Sequence, residues 1–316
     1  MKRKVIQIAG STQLVSLPRQ WAKAHNIQRG QEIEVLADGD KIVISANNTP
    51  PLEQAEVDIS TLGDMVPRFI HALYKRGVDE VKVVFNDPNS IVTVQNAIGN
   101  EVVGFEILEQ GKNYCIIRYV SGTLEEFDSI LRRTFLLLLS MAEQSYEYLK
   151  TSNFRELKNT AFLEEANNRF TTICRRNLNK NGSATYSKIG PIYYIVEELE
   201  KLADQYKYIC QHFYNLNDKS IKLNADALNM FEKANSMLRI FYEVFYKFNT
   251  DQLVLIKELR TAVTESVHKM FQKHLSYADY WLLHHSIVIA NMVFCLVGPY
   301  IILATDNLNF KNKTTS

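Results

Sequence analysis

The sequence predicts a multidomain α+β protein, with a small β-hairpin domain first, a short α+β module next and an all-α bundle over the remainder. Three observations carry that reading. Four short β-prone runs crowd the first 46 residues. From Thr123 onward the apolar pattern turns wholly to helical spacing. At 316 residues the chain also exceeds what a single hydrophobic core usually serves.

The elements follow in order. Residues 4–8 and 13–17 are β-prone runs around Gly10-Ser11-Thr12, a turn composition, and read as a hairpin. Pro18 is placed to open a helix over residues 19–25, which Arg29-Gly30 breaks. Residues 32–36 and 41–45 are two more strands joined at Asp38-Gly39-Asp40, where Asp-Gly signals a tight turn. So small a domain leaves Ile6, Ile8, Leu14, Val35 and Ile42 without a core, which calls for a partner subunit. Residues 47–51 form a polar, proline-containing linker. The α+β module, residues 52–122, starts with a helix over 62–77 carrying Pro67 in its first turns. Strand 81–85, an Asp87-Pro88 turn and strands 102–108 and 114–120 follow.

Residues 123–316 are expected to be helical. Thr123 and Glu126 make a capping-box signature, and Phe127, Ile130, Leu131, Thr134, Leu138 and Met141 give amphipathic spacing. Breaks at 151–153, 179–183, 215–220, 249–251 and 275–276 imply six helices, grouped as three-helix units over 123–214 and 220–305. After Pro191, residues Ile192, Ile195, Leu199, Leu202, Tyr206, Ile209 and Phe213 alternate steps of three and four, the mark of a packing seam. Glu197, Glu200 and Asp204 share the other side of that helix. They are candidates for a divalent cation or iron, or a face that keeps the helix soluble.

Charge is informative only locally. The 36 Lys and Arg nearly balance 35 Asp and Glu, yet no carboxylate precedes Glu32, while Lys2, Arg3, Lys4, Arg19, Lys23 and Arg29 all fall in that stretch. A basic hairpin of this kind reads either as a solvated face or as a surface for double-stranded DNA. For the second reading Arg3, Lys4, Arg19 and Lys23 supply the cations, with Ser11, Thr12 and Gln13 as loop polar groups. His25 is read as structural or solvated, and His284-His285 as core or interface histidines. Cys115, Cys174, Cys210 and Cys295 lack metal or disulfide spacing and indicate a reducing compartment. With a charged start and no signal-peptide core, a cytoplasmic location is expected. No G-x-S-x-G, Walker-type or G-x-G-x-x-G loop occurs, so no enzyme is expected. Residues 287–304 approach the length and apolarity of a membrane span. Asn291 and Gly298-Pro299 favour a bundle helix, since neighbouring helices rather than lipid can satisfy them.

Two stretches resemble known families. Arg3-Lys4-Val5-Ile6-Gln7, then Gly10 through Trp21 and Gly30-Gln31-Glu32-Ile33, look like the AbrB/MazE/SpoVT swapped-hairpin family. The run Glu198-Leu199-Glu200-Lys201-Leu202-Ala203-Asp204, continuing to Ile209, is similar to the L-E-R-I-A-D run of PhoU proteins. With Gly104-Phe105-Glu106-Ile107 between them, the three parts resemble an archaeal family of phosphate-uptake regulators. That resemblance implies a swapped-hairpin, β-barrel-like homodimer over residues 1–46 that binds DNA and a PhoU-like bundle over 123–316. It also implies a regulator of phosphate uptake or, as the second reading, a protein that binds a phosphate transporter or signalling partner. The family's E-x-x-x-D metal pair is kept only at Glu200 and Asp204, with Glu197 beside it. Asn168 and Asn291 stand where further carboxylates would be.

Overall fold

In the computed structural model the alternating runs pair as hairpins and the period-3.6 runs pack as helices. The structure describes residues 2–8, 10, 12–38, 41–45, 52–120, 127–185, 188–216, 218 and 220–305. The 47–51 linker, the Thr123/Glu126 capping box, Ser11 and the Gly39-Asp40 turn lie outside the described residues. The chain falls into two compact units, Met1–Leu52 and Glu53–Ser316.

In the first unit β1 (Ile6–Ile8) and β2 (Thr12–Leu14) are antiparallel, with Ile6 opposite Leu14, Gln7 opposite Gln13 and Ile8 opposite Thr12. Gly10 turns the chain at φ +79°, a conformation that favours glycine. Helix α1 (Arg19–Ala24) follows Pro18, whose extended backbone caps it. Strands β3 (Glu34–Asp38) and β4 (Lys41–Ser45) form the second hairpin. The two hairpins are separate sheets, and no side chain described in this unit is buried. Ile6, Val35 and Ile42 are 57%, 56% and 70% exposed. A single copy therefore has the strands of the expected fold without a core to hold them.

The second unit begins with a four-stranded sheet in the order β5-β6-β8-β7, built from β5 (Gln54–Asp58), β6 (Glu80–Val84), β7 (Phe105–Gln110) and β8 (Tyr114–Tyr119). Strand β5 runs parallel to β6, joined through helix α2 (Val66–Arg76); β8 is antiparallel to both β6 and β7. Helix α3 (Ser90–Asn100) packs beside α2. Neither β5 nor α3 was expected from the sequence. Ile70, Tyr74, Val81, Val83, Phe105 and Ile117 lie in a core of this module's own.

Six helices complete the unit: α4 (Phe127–Lys150), α5 (Leu157–Thr185), α6 (Ile189–Leu216), α7 (Ala225–Tyr246), α8 (Thr250–Met270) and α9 (Tyr277–Ala304). One expectation needs correction: the break over 179–183 is absent, since α5 runs on to Thr185. The helices do group in threes, α4 with α5 and α6 and α7 with α8 and α9, and the two groups share one core through α6 on α9 and α4 on α7. Each of the seven seam residues of α6 is fully buried.

The module and the bundle are fastened through α5. Arg176 is fully buried and donates to Tyr74 O at 3.0 Å, Val78 O at 2.7 Å and Asp79 Oδ1 at 2.7 Å. Its guanidinium lies over the rings of Tyr119, at 4.2 Å, and Tyr74, at 4.9 Å. Lys180 pairs with the same Asp79 carboxylate.

Helix α9 is the one described helix that is long and apolar enough to cross a membrane, with a mean hydropathy of 2.3 in its most apolar window. It packs against α6, α7 and α8. Asn291 finds the partner expected of a bundle, its Oδ1 accepting from Arg260 Nε of α8 at 2.9 Å, while the helix runs on through Gly298-Pro299; the Tyr300 hydroxyl donates to Val244 O of α7. Ser276 and Asp279 form a capping box at its start.

Candidate functional site

The basic residues of the N-terminal unit are displayed rather than consumed. Arg3 and Lys4 lie in the segment leading into β1, Thr12 and Gln13 on β2, and Arg19 and Lys23 on α1; all six are exposed. None of the four cations has an ion-pair partner among the described residues. Gln7 Nε2 donates to Gly10 O at 3.0 Å and steadies the turn between the strands. His25 packs on Trp21, with ring centroids 5.0 Å apart, and so belongs to the helix rather than to the cationic set.

The hairpin register separates two faces. Directly opposed residues project to the same side, so Ile6, Ile8, Thr12 and Leu14 share one face and Gln7 and Gln13 the other. An apolar face that another copy can cover and a polar face with free cations nearby can work together. Guanidinium and ammonium groups with no internal carboxylate are available to phosphate oxygens, and paired glutamines offer donors and acceptors to base edges.

The stripe on α6 presents a different chemistry. Glu197 and Glu200 both pair with Arg175 of α5, the former at 2.7 Å. Arg175 is buried, and its Nε also donates to Thr171 O at 3.2 Å. Burial alone would lower the guanidinium's proton affinity, but Glu200 and Glu197 more than offset this and hold it above the ordinary value. Asp204 pairs with Lys207 Nζ at 2.5 Å, and Lys207 reaches across to Glu164 of α5 at 2.7 Å. Burial opposes the charge on Lys207, yet Asp204 and Glu164 push its pKa up to about 12. Glu164, which also accepts from Asn168 Nδ2 at 2.7 Å, is shifted upward by its own burial.

The stripe therefore faces α5, and two fixed positive charges already engage one oxygen of each of Glu197, Glu200 and Asp204. A metal ion would have to share these carboxylates with Arg175 and Lys207, so the set does not fit one. Among the described residues no group of three or more His, Cys, Asp or Glu side chains is placed to hold one. Arg175 is the residue that sequence spacing missed, because it comes from another helix, whereas Lys207 stands three residues from Asp204 on α6 itself. Substituting Glu200→Gln and Asp204→Asn together is accordingly expected to leave the metal content of protein purified without chelator unchanged, measured by elemental analysis. A metal lost with the pair would restore the metal reading.

A family model, described as antidote-toxin recognition MazE, bacterial antitoxin, matches residues 6–51. No curated protein matches the chain. The match begins after Arg3 and Lys4 and ends before the second unit, so the first unit carries a MazE/AbrB-like domain over residues 6–51.

Proposed function

We propose that the protein is a DNA-binding transcriptional regulator whose N-terminal units pair in a homodimer and whose helical unit receives a signal. One observation carries this reading: a unit whose residues 6–51 are similar to MazE displays Arg19 and Lys23 within the match and Arg3 and Lys4 just before it, none with an ion-pair partner among the described residues. Exposed Ile6, Val35 and Ile42 support the dimer, since a second interleaved copy would bury them. The proposed signal is phosphate supply, and its support is the resemblance of residues 198–209 and the order of the three parts. A cytoplasmic site of action goes with DNA as the ligand. The second reading, a partner of a phosphate transporter or signalling protein that uses its N-terminal unit only to dimerise, draws on the same resemblance.

Two measurements test the proposal. Light scattering of the full-length chain should give a dimer mass at micromolar concentration, and Ile6→Glu with Val35→Glu should reduce it to a monomer mass. Fluorescence anisotropy with labelled duplex DNA should show saturable binding, weakened at least ~10-fold by Arg3→Ala with Arg19→Ala through lost phosphate contacts. A monomer mass for the unsubstituted chain would remove the dimer. DNA binding that the arginine substitutions leave intact would favour the second reading.

A further inference from the structure

A groove of about 510 Å³ lies between α4 and α7, a size at which clefts hold ligands (roughly 300–1,000 Å³). Buried Leu139 and Ala142 and half-buried Ile240 give it an apolar floor. Its rims carry Glu143 and Glu147 of α4 and Glu232 and Glu243 of α7, all exposed. Few cations answer them. Arg239 pairs with Glu143, and Lys150 approaches the α4 side, over the Tyr146 ring at 5.4 Å. The hydrogen-bond donors to Glu232 and Glu243 are neutral, namely the Tyr146 hydroxyl and Gln252 Nε2. Four carboxylates against two cations leave the groove short of two positive charges.

We propose that residues 306–316 of the same chain, which lie outside the described residues, dock in this groove. Their point of departure is beside it. Asn224, at the start of α7, donates its amide to Asp279 in the first turn of α9 at 2.8 Å, and Tyr300 near the end of α9 donates to Val244 O. Helices α7 and α9 therefore run parallel, and the chain leaves α9 close to the Glu243 end of the groove. Their length is sufficient. Thr305 stands about 7.5 Å along the axis beyond Tyr300, and the six and eight residues from there to Lys311 and Lys313 reach up to about 20 and 27 Å. The rim from Glu243 to Glu232 is about 16 Å long. Their composition complements the groove, because no carboxylate side chain follows Asp306, and Lys311 and Lys313 bring two positive charges. In an extended chain Leu308 and Phe310 project to one side and Lys311 and Lys313 to the other, so the apolar pair suits the floor while the ammonium groups meet the rims. Tethering supplies an effective concentration on the order of millimolar, so a weak contact is enough. Docked there, the segment pins α7 to α4 and closes the groove to any other cationic ligand.

Zero-length carbodiimide coupling of the full-length chain, read by mass spectrometry of its proteolytic peptides, tests the docking and does not depend on the proposed DNA binding. Lys311 or Lys313 should be joined to Glu147, Glu232 or Glu243 in material that runs at the mass of a single chain. Phe310→Ala leaves every coupling group in place and should lower that yield about 10-fold by removing the apolar anchor, with helical circular dichroism unchanged. Absence of these links, or a yield that Phe310→Ala leaves unaltered, overturns the proposal. So does coupling of the two lysines to exposed Glu258 and Glu265 of α8 as often as to the groove. Links found only at twice the mass of one chain would place the segment of a second copy in the groove and overturn the assignment to the same chain.

Discussion

Replacing Arg176 with alanine is expected to destabilise the 53–316 unit by about 3–5 kcal/mol, the range for removing one partner of a buried charge pair. Three acceptors converge on this guanidinium: the carbonyls of Tyr74 and Val78 and the carboxylate of Asp79. In its absence two carbonyls of the module lose a donor, the Tyr74 and Tyr119 rings lose the cation they pack on, and Asp79 is left with Lys180 and the Glu53 amide. Arg176→Lys should recover only part of the loss, because an ammonium on a flexible stem does not reproduce the planar fork. Urea unfolding followed by circular dichroism measures both variants. If Arg176→Ala unfolds at the parent midpoint, the guanidinium is not what fastens the sheet module to the bundle.

A comparably large effect is expected from acid, at the seam between α6 and α9. His285 Nδ1 lies 2.9 Å from Gln205 Oε1. Nε2 is buried with no hydrogen-bond partner among the described residues. His212 stacks on Trp281 with ring centroids 4.3 Å apart, and Trp281 lies 5.0 Å from His285. Burial, aided by the neighbouring His284 and His212, pushes the His285 pKa down to about 4. Burial also lowers that of His212. Because the folded-state value lies below the ordinary 6.5, the unfolded chain binds the proton more tightly between the two. Stability is therefore full above pH 6.5 and falls as the pH drops toward 4, by on the order of 2 kcal/mol for His285 after allowance for solvent screening. His285→Gln should flatten the pH dependence of the urea midpoint across that window. An unchanged acid slope in the variant would place the sensitivity elsewhere.

What could be read from the sequence was whatever a regular spacing records. The α6 seam was legible because seven apolar residues alternate threes and fours, and the hairpins because glycine-containing turns separate short β-prone runs. Helix α3 was not, since Ile91, Val92 and Val94 are β-branched and Gly99 is a poor helix former. Strand β5 hides because only Ala55 and Val57 of its five residues are half-buried while the others face water. Residues 179–183 have the composition of a turn, yet α5 continues through them. Asn179 there donates to Lys75 O of α2 at 2.7 Å, so tertiary contact outweighs local preference. The carboxylate stripe shows the same limit in the candidate sites. Glu197, Glu200 and Asp204 were visible as a row, but their meaning depended on Arg175 and Lys207. Two consecutive arginines, 175 and 176, give no local sign that one will enter a carboxylate pair and the other an aromatic pocket about 100 positions away in sequence. The cationic residues of the N-terminal unit were legible because a stretch without a carboxylate is a compositional fact that folding does not alter.

Whether those cations meet DNA phosphates is decided by the salt dependence of binding. Each protomer offers Arg3, Lys4, Arg19 and Lys23. If six to eight of the dimer's cations neutralise phosphates, log affinity should fall against log salt with a slope of about −5 to −7, at about −0.9 per phosphate. Arg3→Ala with Arg19→Ala removes four cations per dimer and should flatten the slope by up to about 3.6. The measurement is anisotropy of one duplex with the full-length chain, and with this variant, across a series of salt concentrations. A steep slope that flattens in the variant is expected if the cations contact phosphates. A slope near zero, or a steep one that the variant leaves unchanged, would contradict it.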